Sequence, residues 1–600
     1  MVAARVSRSD SGRRQGCEVL VPLPVSLWPL GRGRDARAAT LGCLIWCLCA
    51  ALPARAQTLS YHISVPTPEQ GWMRVGLTLD DLGPAPLDIN LSEFSPGRYA
   101  QHPFWRYLTA MEARDPSGAA LILQHPSRSR WLIRAHGRTV HLEYLVRHAN
   151  LDGTYVAVDA THAHINMPAA LVWIRGFEDR PATVRLTLPA GRQWGVATQL
   201  FPTSESFTFS SPNLQYLMDS PVELSPFGVR TFRTTEGGAT TITLALHHEG
   251  SERELDALAR DLQQIVHTAM RVFGEWPDFD PRGYTFLADY VPGATVDGME
   301  HRNSAVLTMP PGSNTARVDL LDGFAHEFFH AWNAERIRPR SLEPFAFDRP
   351  SPSSELWLVE GFTQYYGTLI VARAGLLDVA SYAEKVGSLV TEVEGSRARR
   401  GRSLEAMSRL AVQVDGEDAG RAAAAGPFLS YYSWGAVVGL SLDLELRART
   451  RGRASLDDVM RWLWAHHGRD PGPAVGLVAR PYVTADVEKA IAEVSGDPRF
   501  ARLFLTRYVR GSAVPDMGRL LQDVGLVWRN VGGRRVMRPI ELDGGELSLA
   551  QRDARQAWLG ASGDIERDMA PQENSTPRAS LKVGSRARLT ARISSSPASP

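Results

Sequence analysis

Cysteine is nearly missing from this chain, and where it occurs it is confined. All four cysteines (Cys17, Cys43, Cys47 and Cys49) fall near the start of a 600-residue sequence. Beyond them, a structural disulfide, a cysteine nucleophile and a thiolate-held zinc are excluded. An excess of charge is missing too, since 66 Lys and Arg stand against 65 Asp and Glu with no long run of one sign. That removes the electrostatic footprint of a nucleic-acid-binding protein. Nor does any run of about 18 apolar residues offer a membrane span. Chemistry must therefore come from His, Asp, Glu, Ser, Tyr or a bound metal.

The cysteines sit in a segment that reads as an export leader. Arg32, Arg34 and Arg37 precede an uncharged apolar run from Leu41 to Leu52, and Pro53-Ala54-Arg55-Ala56 follows. A basic stretch, a short apolar core and an Ala-x-Ala site are the parts of a secretory signal peptide. They predict cleavage after Ala56, a mature chain beginning at Gln57, and a periplasmic or secreted protein. About thirty residues precede the basic stretch, more than such a leader usually carries.

The length predicts more than one domain. Residues 57–250 read as β: Val140, Leu142, Tyr144 and Val146 alternate with other residues, as do Val184, Leu186 and Leu188, and Ile242, Leu244 and Leu246. Turn clusters such as Ser95-Pro96-Gly97 separate the runs, which suggests a sandwich-like domain. At Ser251 the period becomes helical. Ser251 and Glu254 form a capping box, followed by Leu255, Leu258, Leu262, Ile265, Ala269 and Phe273. A strand is expected over Tyr284 to Tyr290 and extended chain over Gly298 to Met309. Helices are expected over Asp319 to Arg336, Glu355 to Ala374, Phe428 to Arg449 and Ser455 to His466. Residues 251–530 thus form a mixed α/β part that runs into a helical part. From 531 the signals decay, and the Ser-, Arg-, Pro- and Ala-rich end from Gly563 reads as a disordered tail.

The central motif is His326-Glu327-Phe328-Phe329-His330. Two histidines four apart on a helix differ by about 40° and one turn in height, so both imidazoles reach one ion. Glu327 stands where it can take a proton from water beside that ion. A catalytic zinc needs a third protein ligand and an open position. Glu360, in Trp357-Leu358-Val359-Glu360-Gly361 on the next strongly helical segment, is the candidate, with Glu355 the other carboxylate there. Two imidazoles and a carboxylate suit zinc better than other divalent ions.

His326 to Pro339 (HEFFHAWNAERIRP) followed by Leu356 to Gly367 (LWLVEGFTQYYG) resembles the M61 family of metallopeptidases, the glycyl aminopeptidase group. The resemblance runs from about Tyr61 to Gly560, with Ser95 to Tyr99 (SPGRY) and Asp219 to Glu223 (DSPVE) similar to segments of the family's N-terminal β domain. It implies a thermolysin-like catalytic domain related to the M1 aminopeptidases, one zinc per chain and peptide or protein substrates. Gly298-Met299-Glu300-His301-Arg302-Asn303-Ser304 resembles the family segment on an edge strand that binds a peptide's free amine. By that match Glu300, with Gly298 and Met299, binds substrate, and His301 orients its neighbours. A carboxylate near the zinc holds a protonated amine by a charge-assisted hydrogen bond, which favours exopeptidase cleavage. Tyr431 to Gly435 resembles the Tyr-x-x-Gly segment whose tyrosine steadies the tetrahedral intermediate, which implies Tyr432, with Tyr431 the alternative. Family members commonly continue into a PDZ domain; here too few residues follow Gly560, and Glu573 to Val583 is similar only to part of one.

The function expected is zinc-dependent peptide hydrolysis from the amino terminus, with small first residues such as glycine or alanine. The competing expectations are an endopeptidase acting on unfolded exported proteins and a peptide-binding protein with an inactive metal site. Glu300 speaks against the first and Glu327 against the second.

Overall fold

A computed structural model describes residues 58–560, apart from 235, 280–282, 312–316, 417–423 and 425. The leader with its cleavage point, the tail from 561 and the PDZ-like stretch Glu573 to Val583 lie outside the described residues.

Alternation builds the amino-terminal part. In the strands Leu59–Ser64, Trp72–Leu79 and Val140–Arg147 every second side chain is buried, as a sheet with one face on a core requires. Among the described residues these strands belong to a seven-stranded sheet, in which Leu59–Ser64 runs parallel to Ala182–Thr187 and antiparallel to Trp72–Leu79. A four-stranded sheet containing Leu87–Leu91 and Val172–Ile174 shares its apolar core. The buried Tyr61 hydroxyl bridges the two sheets by donating to Val172 O at 2.9 Å, so the core keeps its polar group satisfied. A second four-stranded sheet carries Ala163–Ile165 and Val222–Ser225.

A separate five-stranded sheet follows, in the order Gly228–Thr234, Thr240–His248, Tyr284–Tyr290, Ser304–Met309 and Asp297–His301. Its first two strands lie before residue 250, and Ile242, Leu244 and Leu246 are buried with Leu255, Leu262 and Ile265 of the helix Glu252–Phe273. The β domain expected to reach 250 therefore gives up its last hairpin to the next sheet. Alternation marks a strand but says nothing about which sheet it joins. The helix itself opens on the expected reciprocal box between Ser251 and Glu254, a cap that contributes about 1 kcal/mol.

The helix expected over 319–336 is Arg317–Phe329. Past Phe329 the chain tightens, the Ala331 and Trp332 amides bonding three residues back, and it leaves the helical path at Ala334, at a positive φ of 126°. The segment expected as one helix over 355–374 is two, Leu356–Val359 and Gly361–Arg373, with Glu360 at their junction. Gly361 and Gly435 explain how that junction sits. A Cβ on Gly361 would lie 2.4 Å from Gly435 Cα, and one on Gly435 would lie 2.4 Å from Trp357 O. Only glycine allows the helix Tyr431–Thr450 to cross there, which brings Tyr431 and Tyr432 beside Glu360.

Order also extends further than the sequence predicts. The strands Leu526–Val531 and Arg534–Pro539 pair, and the helix Leu549–Leu559 docks back on the body. Trp558 is fully buried, and its Nε1 donates to Tyr365 Oη at 2.9 Å. Arg373 Nε and Arg447 Nη1 donate to the Trp558 and Ala557 carbonyls at 3.0 and 2.7 Å. One aromatic anchor and two capping arginines hold this segment, and such a docking leaves almost no trace in hydrophobic periodicity. No helix among the described residues is long and apolar enough to cross a membrane.

Candidate metal centre and active site

His326 and Glu327 ride on the last turn of Arg317–Phe329, and His330 follows directly, its amide still bonded to His326 O at 3.3 Å. The two Nε2 atoms lie 3.1 Å apart. Glu360 Oε2 is 3.5 Å from the first and 3.3 Å from the second. His330 Nδ1 donates to Asn333 O at 2.7 Å, which turns Nε2 toward the other two donors. Asn333 Nδ2 in turn donates to Leu358 O, Val359 O and Thr363 Oγ1 at 3.0–3.1 Å. One amide thus locks the histidine turn to the segment that carries Glu360. The remaining oxygen of Glu360 accepts from Tyr99 Oη.

These three donors suit a small divalent ion. Ligands at about 2.0–2.1 Å and tetrahedral angles stand about 3.3–3.4 Å from one another, close to the triangle found. Glu355, the other carboxylate of the segment, is committed elsewhere: it accepts from Thr484 Oγ1 at 3.0 Å and Ser353 Oγ at 3.1 Å.

The donors open on a cavity of about 390 Å³ that is also lined by Arg98, Gly298, Glu300, Glu327 and Tyr432. Carboxylate oxygens of Glu300 and Glu327 and a ring nitrogen of His330 lie within 4.8 Å of one another. Glu327 is pressed against the edge strand, where a Cβ on Gly298 would stand 2.2 Å from its Oε1. The glycine of the sequence motif is therefore what leaves room for the carboxylate. The Tyr432 ring stacks 6.1 Å from that of His326. Tyr431 is buried, and its hydroxyl is held by Asp415, so of the two tyrosines Tyr432 is the one that faces the cavity.

Met299 does not line it. Side chains on the strand Asp297–His301 alternate, so Gly298 and Glu300 face the cavity while Met299 points the other way, into a small apolar cluster with Ala197, Ala245, Leu287 and Val306. A motif read as a string hides that parity. His301 holds the strand in place, its Nδ1 2.9 Å from Asp219 Oδ1, while Asp219 Oδ2 accepts from the Arg302 amide at 3.0 Å.

The electrostatics are those of a site short of positive charge. Burial pushes Glu327 well above the ordinary carboxylate range, and it pushes Glu300 up to about 7 against the opposing pull of His330. Burial would raise Glu360 as well, but His330 and His326 hold it low. Burial lowers His326. It would lower His330 too, yet Glu360 and Glu300 lift that imidazole to about 10. Three buried carboxylates around two imidazoles favour a cation, and an ion that binds here displaces the His330 proton.

Two family models match in order: the Peptidase M61 N-terminal domain over residues 60–226 and M61 glycyl aminopeptidase over residues 319–438. Over these two stretches the chain resembles the M61 peptidase family. The chain shares its fold with an aminopeptidase N family protein from Idiomarina loihiensis, whose crystal structure aligns over 79% of each chain at a TM-score of 0.69 and 24% identity. An M1 zinc metallopeptidase from Deinococcus radiodurans aligns more loosely, at a TM-score of 0.46 and 16% identity over 77% of this chain and 95% of that one. So does Legionella pneumophila aminopeptidase A in complex with aspartic acid, at 0.46 and 14% over 76% and 49%. No curated protein matches in sequence.

Two residues at the site were not foreseen, although their segment was. Ser95 to Tyr99 reads in sequence only as a turn and a family marker, yet it delivers Arg98 and Tyr99 from the β-rich domain. Arg98 donates to Gly298 O at 3.0 Å and Thr154 Oγ1 at 2.8 Å, and pairs with Asp297. It thereby fixes the edge strand. Tyr99 orients Glu360, the candidate third donor. Removing such an outer hydrogen bond typically costs about 10–100-fold in metal affinity or activity. Tyr99→Phe is accordingly expected to weaken zinc binding within that range, measured by competition with a chelator of known affinity. An unchanged affinity would mean that Glu360 is held without it.

Proposed function

We propose that the protein is an exported zinc aminopeptidase of the thermolysin-like kind, which removes small first residues such as glycine or alanine from peptides. The observation that carries this reading is the donor triangle of His326, His330 and Glu360 at 3.1–3.5 Å, opening on one cavity with Glu327 and Glu300. A zinc ion held there supplies Lewis acidity for the scissile carbonyl and makes water a better proton donor. Glu327 takes the proton of the attacking water and delivers it to the leaving amine. Tyr432 donates its phenolic hydrogen to the oxygen that gains charge. Glu300, two residues along the edge strand from Gly298, accepts the protonated amine of the first residue. Arg98 holds that strand still.

A panel of peptides with free and acetylated amino termini tests the exopeptidase assignment. A charge-assisted hydrogen bond contributes about 1.5–3 kcal/mol, so acetylation is expected to lower kcat/KM by roughly 10–100-fold, and Glu300→Gln to abolish the difference. Equal rates on both series would favour the endopeptidase reading instead.

Export rests on the basic-then-apolar order, the Ala54-Arg55-Ala56 site and the confinement of every cysteine ahead of it. Terminal sequencing of protein from its native cells is expected to begin at Gln57 or within a residue or two of it. A chain that begins at Met1 in the cytosolic fraction would overturn the localisation and leave the metal centre standing.

A further inference from the structure

A second group of metal-binding side chains lies away from the cavity, where the β-rich domain meets the five-stranded sheet. Two strand registers create it. In one sheet Glu223 of Val222–Ser225 stands directly opposite His164 of Ala163–Ile165. In the other, His247 of Thr240–His248 stands opposite Asp289 of Tyr284–Tyr290. Side chains two apart share a face, so His247 and Asp289 extend the face of Ala245 and Leu287, which packs with Ala197 of the neighbouring sheet. The two pairs are thereby pressed together at the junction.

The result is difficult to account for as protein alone. His164, Glu223 and Asp289 are each at most 1% exposed. Both nitrogens of His164 and all four carboxylate oxygens lack a hydrogen-bond partner among the described residues. Their donor atoms nevertheless converge within 4.8 Å of one another. His164 Nδ1 stands 3.7 Å from Glu223 Oε2, and His247 Nδ1 stands 3.4 Å from Asp289 Oδ1, separations too long for good hydrogen bonds but ordinary between ligands of one ion. Buried carboxylates without donors are among the costliest features a fold can carry unless paired or bound to metal. None of these residues lines the cavity that holds His326 and Glu327.

We infer that His164, Glu223 and Asp289 form a second metal site, which takes a divalent transition ion of the zinc class and joins the β-rich domain to the catalytic sheet. The imidazole selects for that class, since calcium and magnesium take oxygen donors. His247 lies beside Asp289, its Nδ1 3.4 Å from Oδ1. His162, whose ring lies 5.2 Å from that of His247, is anchored by Asp159 at 3.1 Å, and its Nε2 has no partner among the described residues.

Zinc binding to a chain whose catalytic histidines are removed tests the site without relying on hydrolysis. The His326→Ala/His330→Ala double variant, loaded with zinc, dialysed and analysed for metal, is expected to keep about one ion per chain, and to lose it when His164→Ala is added. Anomalous diffraction at the zinc edge from zinc-loaded wild-type crystals reads the same site with no substitution, so a misfolded variant cannot mask the answer. A peak between His164, Glu223 and Asp289 is the expected result. No zinc on the double variant, or a wild-type map whose only peak lies at His326, His330 and Glu360, would overturn the site and leave the buried carboxylates neutralised by imidazolium protons. A peak at the junction with none at His326 would uphold this site while contradicting the proposed function.

Discussion

Glu327→Gln is expected to slow peptide hydrolysis by roughly 10²–10⁴-fold, the usual loss when a positioned general base is removed, while zinc content stays at the wild-type level. The glutamine keeps the shape of the side chain and so fits the space that Gly298 leaves beside it. What it cannot do is accept a proton. Glu327 is no member of the donor triangle formed by His326, His330 and Glu360, so the metal has no reason to leave. Metal analysis and kcat/KM on the same preparation separate the two effects. Activity within about tenfold of wild type would remove Glu327 from the role of base.

Glu360→Ala is expected to act through the metal. It removes one of three protein donors, leaves His326 and His330 alone around the ion, and strands the Tyr99 hydroxyl that had donated to it. Zinc content after dialysis should fall by about one ion per chain relative to wild type, with hydrolysis lost in parallel and restored only in part by excess zinc. Glu355 cannot take over, because Ser353 and Thr484 already hold its oxygens. Unchanged zinc content would move the third ligand to another carboxylate, with Glu300, whose oxygen lies within 4.8 Å of a His330 ring nitrogen, the candidate.

The parts of this site legible in the sequence are those carried by short-range spacing. His326, Glu327 and His330 fall within one turn, so helical geometry alone groups them; Glu360 is legible as a carboxylate on the next helical segment, but it is Asn333 that ties that segment to the histidines. The capping boxes at Ser251 and Ser455 are legible for the same reason, since they close within one turn. Parity was the first point of failure: Met299 sits inside the matching motif but faces the opposite side of its strand. Tertiary placement was the second. Nothing in the alternation of Ile242, Leu244 and Leu246 tells which sheet they join, and nothing in the segment around Trp558 shows that a single indole will anchor it. Arg98 and Tyr99 reach the metal centre from a domain more than two hundred residues earlier in the chain than Glu327. The junction cluster is the extreme case: His164, Glu223, His247 and Asp289 come from four separate strands, and only the two registers bring them together.

The central claim is that His326, His330 and Glu360 hold a zinc ion without which the protein does not cleave peptides. Its most direct test is the rate of hydrolysis of an alanine- or glycine-initiated peptide before chelation, after complete removal of metal, and after zinc is returned. The account predicts full activity, then none, then recovery with zinc in the wild-type chain but not in the His326→Ala/His330→Ala variant. Undiminished hydrolysis by the metal-free chain would contradict it.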